Sequence, residues 1–220
     1  LIYFFEFLII IILFTIFRII GYKAASNLGF LIGKTFGPLF RSKKIIIKNI
    51  KNFKSSVDDK EIDEIINNMW GNYGRILAEY PFIPSFRKKK LENFLKIEGM
   101  ENLKKIKDNK KPCVFISGHF NNFELMAMLI EREGIDLSAV YRPLNNKFLN
   151  LVMENLRKKY ICKNQIKKGF KGVREALTFF KKGNSLAIMI DQRVSEGIDS
   201  KFFGINAFTT TIPAQFVKKF

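Results

Sequence analysis

One histidine, two cysteines and one tryptophan occur in the 220 residues, and each scarcity removes a class of protein. Cys113 and Cys162 form no Cys-x-x-Cys pair, and His119 is the sole histidine, so no zinc site or other metal is expected. Nothing asks for an oxidising compartment. Cys113 sits in an apolar run and reads as a small core residue. Acids are scarce too: Asp and Glu number 20 against 38 Lys and Arg, a formal charge of +18. A chain so basic is expected to meet anions, whether anionic lipid, a phosphorylated substrate, an acidic protein or nucleic acid. Compositional bias toward Ile, Lys, Asn and Phe accounts for the charge equally well. The basic residues are scattered rather than gathered in a stripe, so no nucleic-acid surface is expected. No phosphate-binding glycine loop is present, and no internal repeat.

What is abundant is apolar surface at the start. Residues 1–20, LIYFFEFLIIIILFTIFRII, carry only Glu6 and Arg18 as charges. A helix of about 20 residues spans the roughly 30 Å of bilayer hydrocarbon. A signal peptide is the alternative, but no small-residue cleavage site follows the run. Lys23, Lys34, Arg41, Lys43 and Lys44 come next with no acid before Asp58, so the positive-inside rule puts the remainder in the cytoplasm. Segment 1–22 therefore reads as a single-pass transmembrane anchor.

Segment 23–92 reads as a membrane-proximal helical region. Gly29, Gly33 and Gly37 recur at four-residue spacing, which fits either a close-packing helix face or a loose interfacial segment. A basic helix is expected over Ser42–Phe53. A second begins near Ser55–Asp58 and runs to about Tyr80, with Ile62, Ile65, Ile66, Met69, Tyr73, Ile76 and Leu77 at helical spacing. Trp70 reads as core. Pro81 and Pro84 end the helix, and the basic loop from Phe86 to Lys90 is placed at lipid headgroups.

From residue 93 to 220 short apolar runs alternate with helical patterns. Strands are expected at Phe94–Ile97, Cys113–Ser117, Leu137–Tyr141 and Ser185–Ile190. Helices are expected at Met100–Lys107, Phe123–Arg132, Asn145–Tyr160 and Phe170–Lys182, with Gly134, Gly169 and Gly183 as stops. Continuously apolar strands imply an α/β domain, its largely parallel mixed sheet covered by helices on both faces.

Within that domain the stretch KPCVFISGHFNNFELMAML, from Lys111 to Leu129, joins an apolar strand to a helix. Neutral imidazole is a suitable base near pH 7, and a carboxylate beside it fixes its tautomer. On one continuous helix, His119 and Glu124 would point about 140° apart. They can cooperate only if His119 lies in the turn and Glu124 in the first turns of the helix. Asn121 and Asn122 are capping residue types, and first-turn amides would supply anion donors. By itself this spacing is also met in proteins whose histidine is purely structural.

The wider pattern adds Tyr141-Arg142-Pro143, Asp191-Gln192-Arg193, Phe202-Phe203-Gly204 and Thr209-Thr210-Thr211. With Gly118 to Glu124 these segments resemble, in order and spacing, the lipid A biosynthesis acyltransferases that add late lauroyl or myristoyl chains. The resemblance implies an enzyme at the cytoplasmic face of the bacterial inner membrane. It implies transfer of a fatty acyl group from acyl-carrier protein to a hydroxyl of a phosphorylated, Kdo-bearing lipid A precursor, with no cofactor and no metal. It maps a His-x4-Glu motif onto His119 as base and Glu124 as orienting acid.

Arg142, at the carboxyl end of a strand, is expected to bind substrate phosphate or the oxyanion, with a structural ion pair as the alternative. Asp191, Gln192 and Arg193 hold the equivalent place after another strand and are expected at the substrate. Asp191 alternatively braces Arg142 or the site backbone. Phe202, Phe203 and Phe208 suit an acyl groove or the core equally. Family members usually continue beyond the position of Phe220, so a C-terminally incomplete catalytic domain is expected. The competing readings are an acyltransferase for glycerophospholipid or glycolipid acceptors, and a non-enzymatic basic protein tethered to anionic membrane lipid. The second would survive removal of His119 and show a steep salt dependence.

Overall fold

Four short strands pair side by side, every pairing parallel: β1 (Val114–Ser117), β4 (Ser185–Met189), β2 (Leu137–Tyr141) and β3 (Asn164–Lys167), in that spatial order. The computed structural model describes residues 1–192, 194 and 196–220. The α/β architecture expected from the sequence is present, with helices α7 (Glu124–Arg132), α8 (Lys147–Tyr160) and α9 (Phe170–Lys181) linking successive strands. Ala176 and Phe180 of α9, with Phe216 of α10 (Ile212–Lys219), form a core with Ile166 of β3 and Leu186 and Ile188 of β4. Because β4 lies between β1 and β2, the loops after β1 and β4 emerge side by side.

Two expectations change. Phe94–Ile97 forms no strand; Glu92–Phe94 is a turn of 3-10 helix and no ladder pairs the residues that follow. The fourth strand is instead β3, whose sequence NQIK places a single apolar side chain, Ile166, in the core. It sits at the sheet edge, where one buried contact and one neighbouring ladder suffice. A further two-stranded ribbon joins β5 (Ile198–Phe202) to β6 (Ile205–Thr209). The remaining helices are α1 (Ile2–Ile20), α2 (Tyr22–Phe36), α3 (Lys43–Phe53), α4 (Asp59–Glu79), α5 (Ile83–Arg87) and α6 (Met100–Asn109).

The chain divides into two units. Unit 1 comprises Leu1–Ile9, Ile83–Ile198 and Thr209–Phe220; unit 2 comprises Ile10–Phe82 and Asp199–Phe208. Within unit 1, Arg132 holds Glu92 through two bonds, Nη1 at 2.7 Å and Nη2 at 2.8 Å, and Arg87 pairs with Glu131 at 2.8 Å. Cys162 is fully buried and its thiol donates to the Leu137 carbonyl; burial pushes its pKa up to about 12.

Unit 2 is built on α2 against α4, and the glycine spacing proves to be a close-packing face. A β-carbon on Gly33 would lie 2.2 Å from the Trp70 carbonyl, and one on Gly74 would lie 1.9 Å from the Gly29 carbonyl. Both obstacles are backbone and cannot step aside. Gly74→Ala is therefore expected to force the helices apart and destabilise unit 2 by about 1–3 kcal/mol or more, read as a lowered denaturant midpoint. The start of α4 lies later than Ser55: Asp58 is its cap, its carboxylate accepting from the Glu61 amide at 2.7 Å. Ser26 donates to the buried Glu79 at 2.8 Å, and Arg75 donates to Ser26.

Candidate active site

Parallel register brings two distant residues together. Ser117 pairs with Met189 at the ends of β1 and β4, and two residues beyond each stand His119 and Asp191. The Asp191 carboxylate meets the histidine twice. Its Oδ1 lies 2.7 Å from imidazole Nδ1, and its Oδ2 accepts the His119 backbone amide at 2.6 Å. A carboxylate only accepts, so Nδ1 carries a proton, and in the neutral tautomer that this fixes Nε2 is the acceptor nitrogen. Gln192 Nε2 stands 3.3 Å from that Nε2, and Phe123 packs edge-on at 4.7 Å between ring centres. Partial burial pushes the Asp191 pKa up, but the amide and imidazole of His119 outweigh it and hold the carboxyl below its usual value.

The turn between β1 and α7 is shaped for this approach. A β-carbon on Gly118 would come within 3.1 Å of Asp191 Oδ2 and 2.8 Å of the Phe120 ring. Asn121 takes a left-handed φ of 43°, which its short polar side chain tolerates best. Neither asparagine caps the helix; the N-cap residue is Phe123, with no side-chain cap bond. His119 precedes α7 and Glu124 opens it. The amides of Phe120, Phe123, Leu125 and Met126 all donate to carbonyls of the turn itself, so those donors are already engaged.

Glu124 is buried, and its Oε1 accepts from Arg157 on α8, from Nε at 2.8 Å and from Nη2 at 2.6 Å. Arg157 also lies 5.6 Å from the centre of the Tyr141 ring. The Tyr141 hydroxyl donates to Glu154 at 2.5 Å; burial and that carboxylate push the phenol pKa well up. In turn the Tyr141 hydroxyl, with Asn150 and Lys167, holds Glu154 below the usual carboxylate range.

These groups surround one cavity of about 480 Å³ within unit 1, inside the roughly 300–1,000 Å³ typical of ligand sites. Its walls are apolar, among them Phe115, Met126, Val140, Leu186 and Ile188, while His119, Glu124, Arg142, Arg157, Lys168 and Gln192 supply polar atoms. Arg142 is exposed and has no ion-pair partner among the described residues. Lys168 follows β3 as Arg142 follows β2, and its amide donates to the Tyr141 carbonyl at 2.8 Å. Thr210 lines the cavity; Phe202, Phe203 and Phe208 are not among its lining residues. Phe203 instead packs edge-on against Phe53 and Phe202, within unit 2. Arg193 lies outside the described residues. Arg157 carries no local signal of this role, because Arg157-Lys158-Lys159 matches ordinary basic residues at a helix C-terminus.

An imidazole whose Nδ1 is held by a carboxylate, set beside an apolar cavity with guanidinium groups in its wall on a parallel α/β sheet, has the make-up that general-base group transfer requires. The chain matches the profile of the bacterial lipid A biosynthesis acyltransferases over residues 1–220, and it belongs to that family. It is accordingly an acyltransferase acting on lipid A-like acceptors. No curated protein matches it.

Proposed function

We propose that the protein moves a fatty acyl chain from acyl-carrier protein to a hydroxyl of a phosphorylated, Kdo-bearing lipid A precursor at the cytoplasmic face of the inner membrane. The observation that carries this is the Nε2 lone pair of His119 at the edge of an apolar cavity, its opposite nitrogen held by Asp191. In the reaction Nε2 takes the acceptor hydroxyl proton as its oxygen attacks the thioester carbonyl. The C–S bond then breaks, and the departing thiolate recovers the proton from the imidazolium. Asp191 stays ionised throughout and stabilises that imidazolium. Gln192, 3.3 Å from Nε2 in the free site, yields its place to the acceptor hydroxyl.

Glu124 then acts through Arg157, holding the guanidinium beside the cavity, where it and Arg142 receive negative charge on the oxyanion and the substrate phosphates. The thioester supplies the driving force, so the transfer needs neither metal nor nucleotide. The test offers full-length protein a lauroyl- or myristoyl-acyl-carrier protein with one acceptor at a time. The expected result is a single acyl mass added to the Kdo-bearing lipid A precursor and none to glycerol 3-phosphate or lysophospholipid. Acylation of either of the latter in preference would overturn the acceptor assignment.

A further inference from the structure

One face of α4 carries Asp63, Ile66, Asn67 and Trp70, spaced at three, four and seven residues as a helix stripe is. With Arg41 and Lys43 from the chain after α2, these side chains line a hollow of about 290 Å³ that lies wholly within unit 2. The Trp70 ring packs against the core of Val57, Ile62 and Ile66. On it closes the 3-10 turn Gly37–Phe40, which can approach because Gly37 has no side chain: a β-carbon there would lie 2.4 Å from Trp70 Cδ2. Core and turn together fix the indole in place.

The donors around this hollow outnumber the acceptors. Buried polar atoms are paired as a rule, and each exception calls for an explanation. Trp70 Nε1 is such an exception, buried and without a hydrogen-bond partner among the described residues. An indole N–H only donates, so what it lacks is an acceptor. Arg41 and Asn67 likewise make no side-chain hydrogen bond or ion pair among the described residues. The one carboxylate present, Asp63, is already paired with Lys43 at 2.8 Å. Arg41 and Lys43 against Asp63 leave one net positive charge. The missing partner is an anion with several acceptor oxygens.

We propose that this hollow binds the phosphate group of an anionic membrane lipid. The Arg41 guanidinium suits a phosphate through paired hydrogen bonds, and Trp70 Nε1 and the Asn67 amide supply further donors. The volume lies just under the roughly 300 Å³ at which small-molecule sites begin, room for a headgroup with its acyl chains left outside. Leu39 and Phe40, immediately before Arg41, are each 81% exposed and offer those chains an apolar contact. Exposed apolar side chains beside basic ones are the make-up of a segment that meets an anionic bilayer surface. A free phosphate or a soluble headgroup would leave Leu39 and Phe40 in water, so the occupant is the lipid. This site does not depend on the acyl-transfer reading.

Trp70 is the sole tryptophan, so the site carries its own fluorescent reporter. The full chain in neutral detergent is titrated separately with phosphatidylglycerol, phosphatidylcholine, glycerol 1-phosphate and inorganic phosphate. The expected result is a saturable change in Trp70 emission with phosphatidylglycerol alone. No change, or an equal change with phosphatidylcholine or with either soluble phosphate, overturns the proposal. Arg41→Gln is expected to raise the half-saturating concentration about tenfold or more, the worth of a charged hydrogen bond. Lys60→Gln removes the same charge from an exposed place on α4 outside the hollow, and no shift is expected. Equal weakening by both variants means diffuse attraction and overturns the site. Arg41 is exposed and holds no partner, so an unchanged denaturant midpoint is expected for its variant. Trp70→Phe keeps a ring and loses the N–H; lipid retained in native mass spectrometry should fall several-fold, and undiminished retention would remove Nε1 from the site.

Discussion

Replacing His119 with alanine is expected to lower acyl turnover about 10²–10⁴-fold, the usual worth of a positioned general base, while membrane association is unchanged. In the proposed mechanism the imidazole takes the proton at Nε2, since Asp191 holds Nδ1 and the backbone amide together and Glu124 is engaged with Arg157. Its side chain is 25% exposed and anchors no core, so loss of fold would not explain loss of rate. Turnover within a few-fold of wild type, measured with saturating donor and acceptor, would remove His119 from the chemistry.

The second large effect is expected at Asp191. Asp191→Asn can still accept the His119 amide through its carbonyl, but it offers an NH2 group to Nδ1. The ring must then put its proton on Nε2, where the acceptor hydroxyl needs a lone pair. A loss approaching 10⁴ in kcat is expected from such a tautomer reversal. The measurement that separates roles compares Asp191→Asn with Glu124→Gln. Were Glu124 the group orienting His119, Glu124→Gln would reproduce the asparagine variant's loss whether or not Arg157 was present. Acting through Arg157, it should show strong non-additivity in the Glu124→Gln, Arg157→Gln cycle.

Asp191 also predicts a pH dependence of stability. Its pKa in the folded chain lies below the usual value, so its contribution is present above the unfolded value of about 3.9 and is lost as pH falls through the folded one. The stability gap between wild type and Asp191→Asn should therefore close in acid, as followed by denaturant titration at several pH values.

Much of this was legible in the chain. Periodicity located α1, α4 and the helices after each strand to within a few residues, because those elements bury one face and carry its signature. The strand-turn-helix around His119 was visible for the same reason, as was the placement of Arg142 and Asp191 just beyond strands. β3 was invisible: one buried side chain among four residues leaves no alternating pattern. Arg157 was hidden in a basic run. The glycine spacing in α2 was ambiguous because only a partner helix decides whether a small residue is a contact or a weakness.

The amino-acid sequence by itself determined the elements, the lone histidine, the apolar first helix and the membership of a family, since each is written in local composition, spacing or ordered motifs. Only tertiary structure decided which acid lies against that histidine. The insertion of β4 beside β1 puts Asp191, 72 residues away, at Nδ1, while the crossing of α8 engages nearby Glu124 with Arg157. Strand order is set by how whole faces pack, and no spacing along the chain records it.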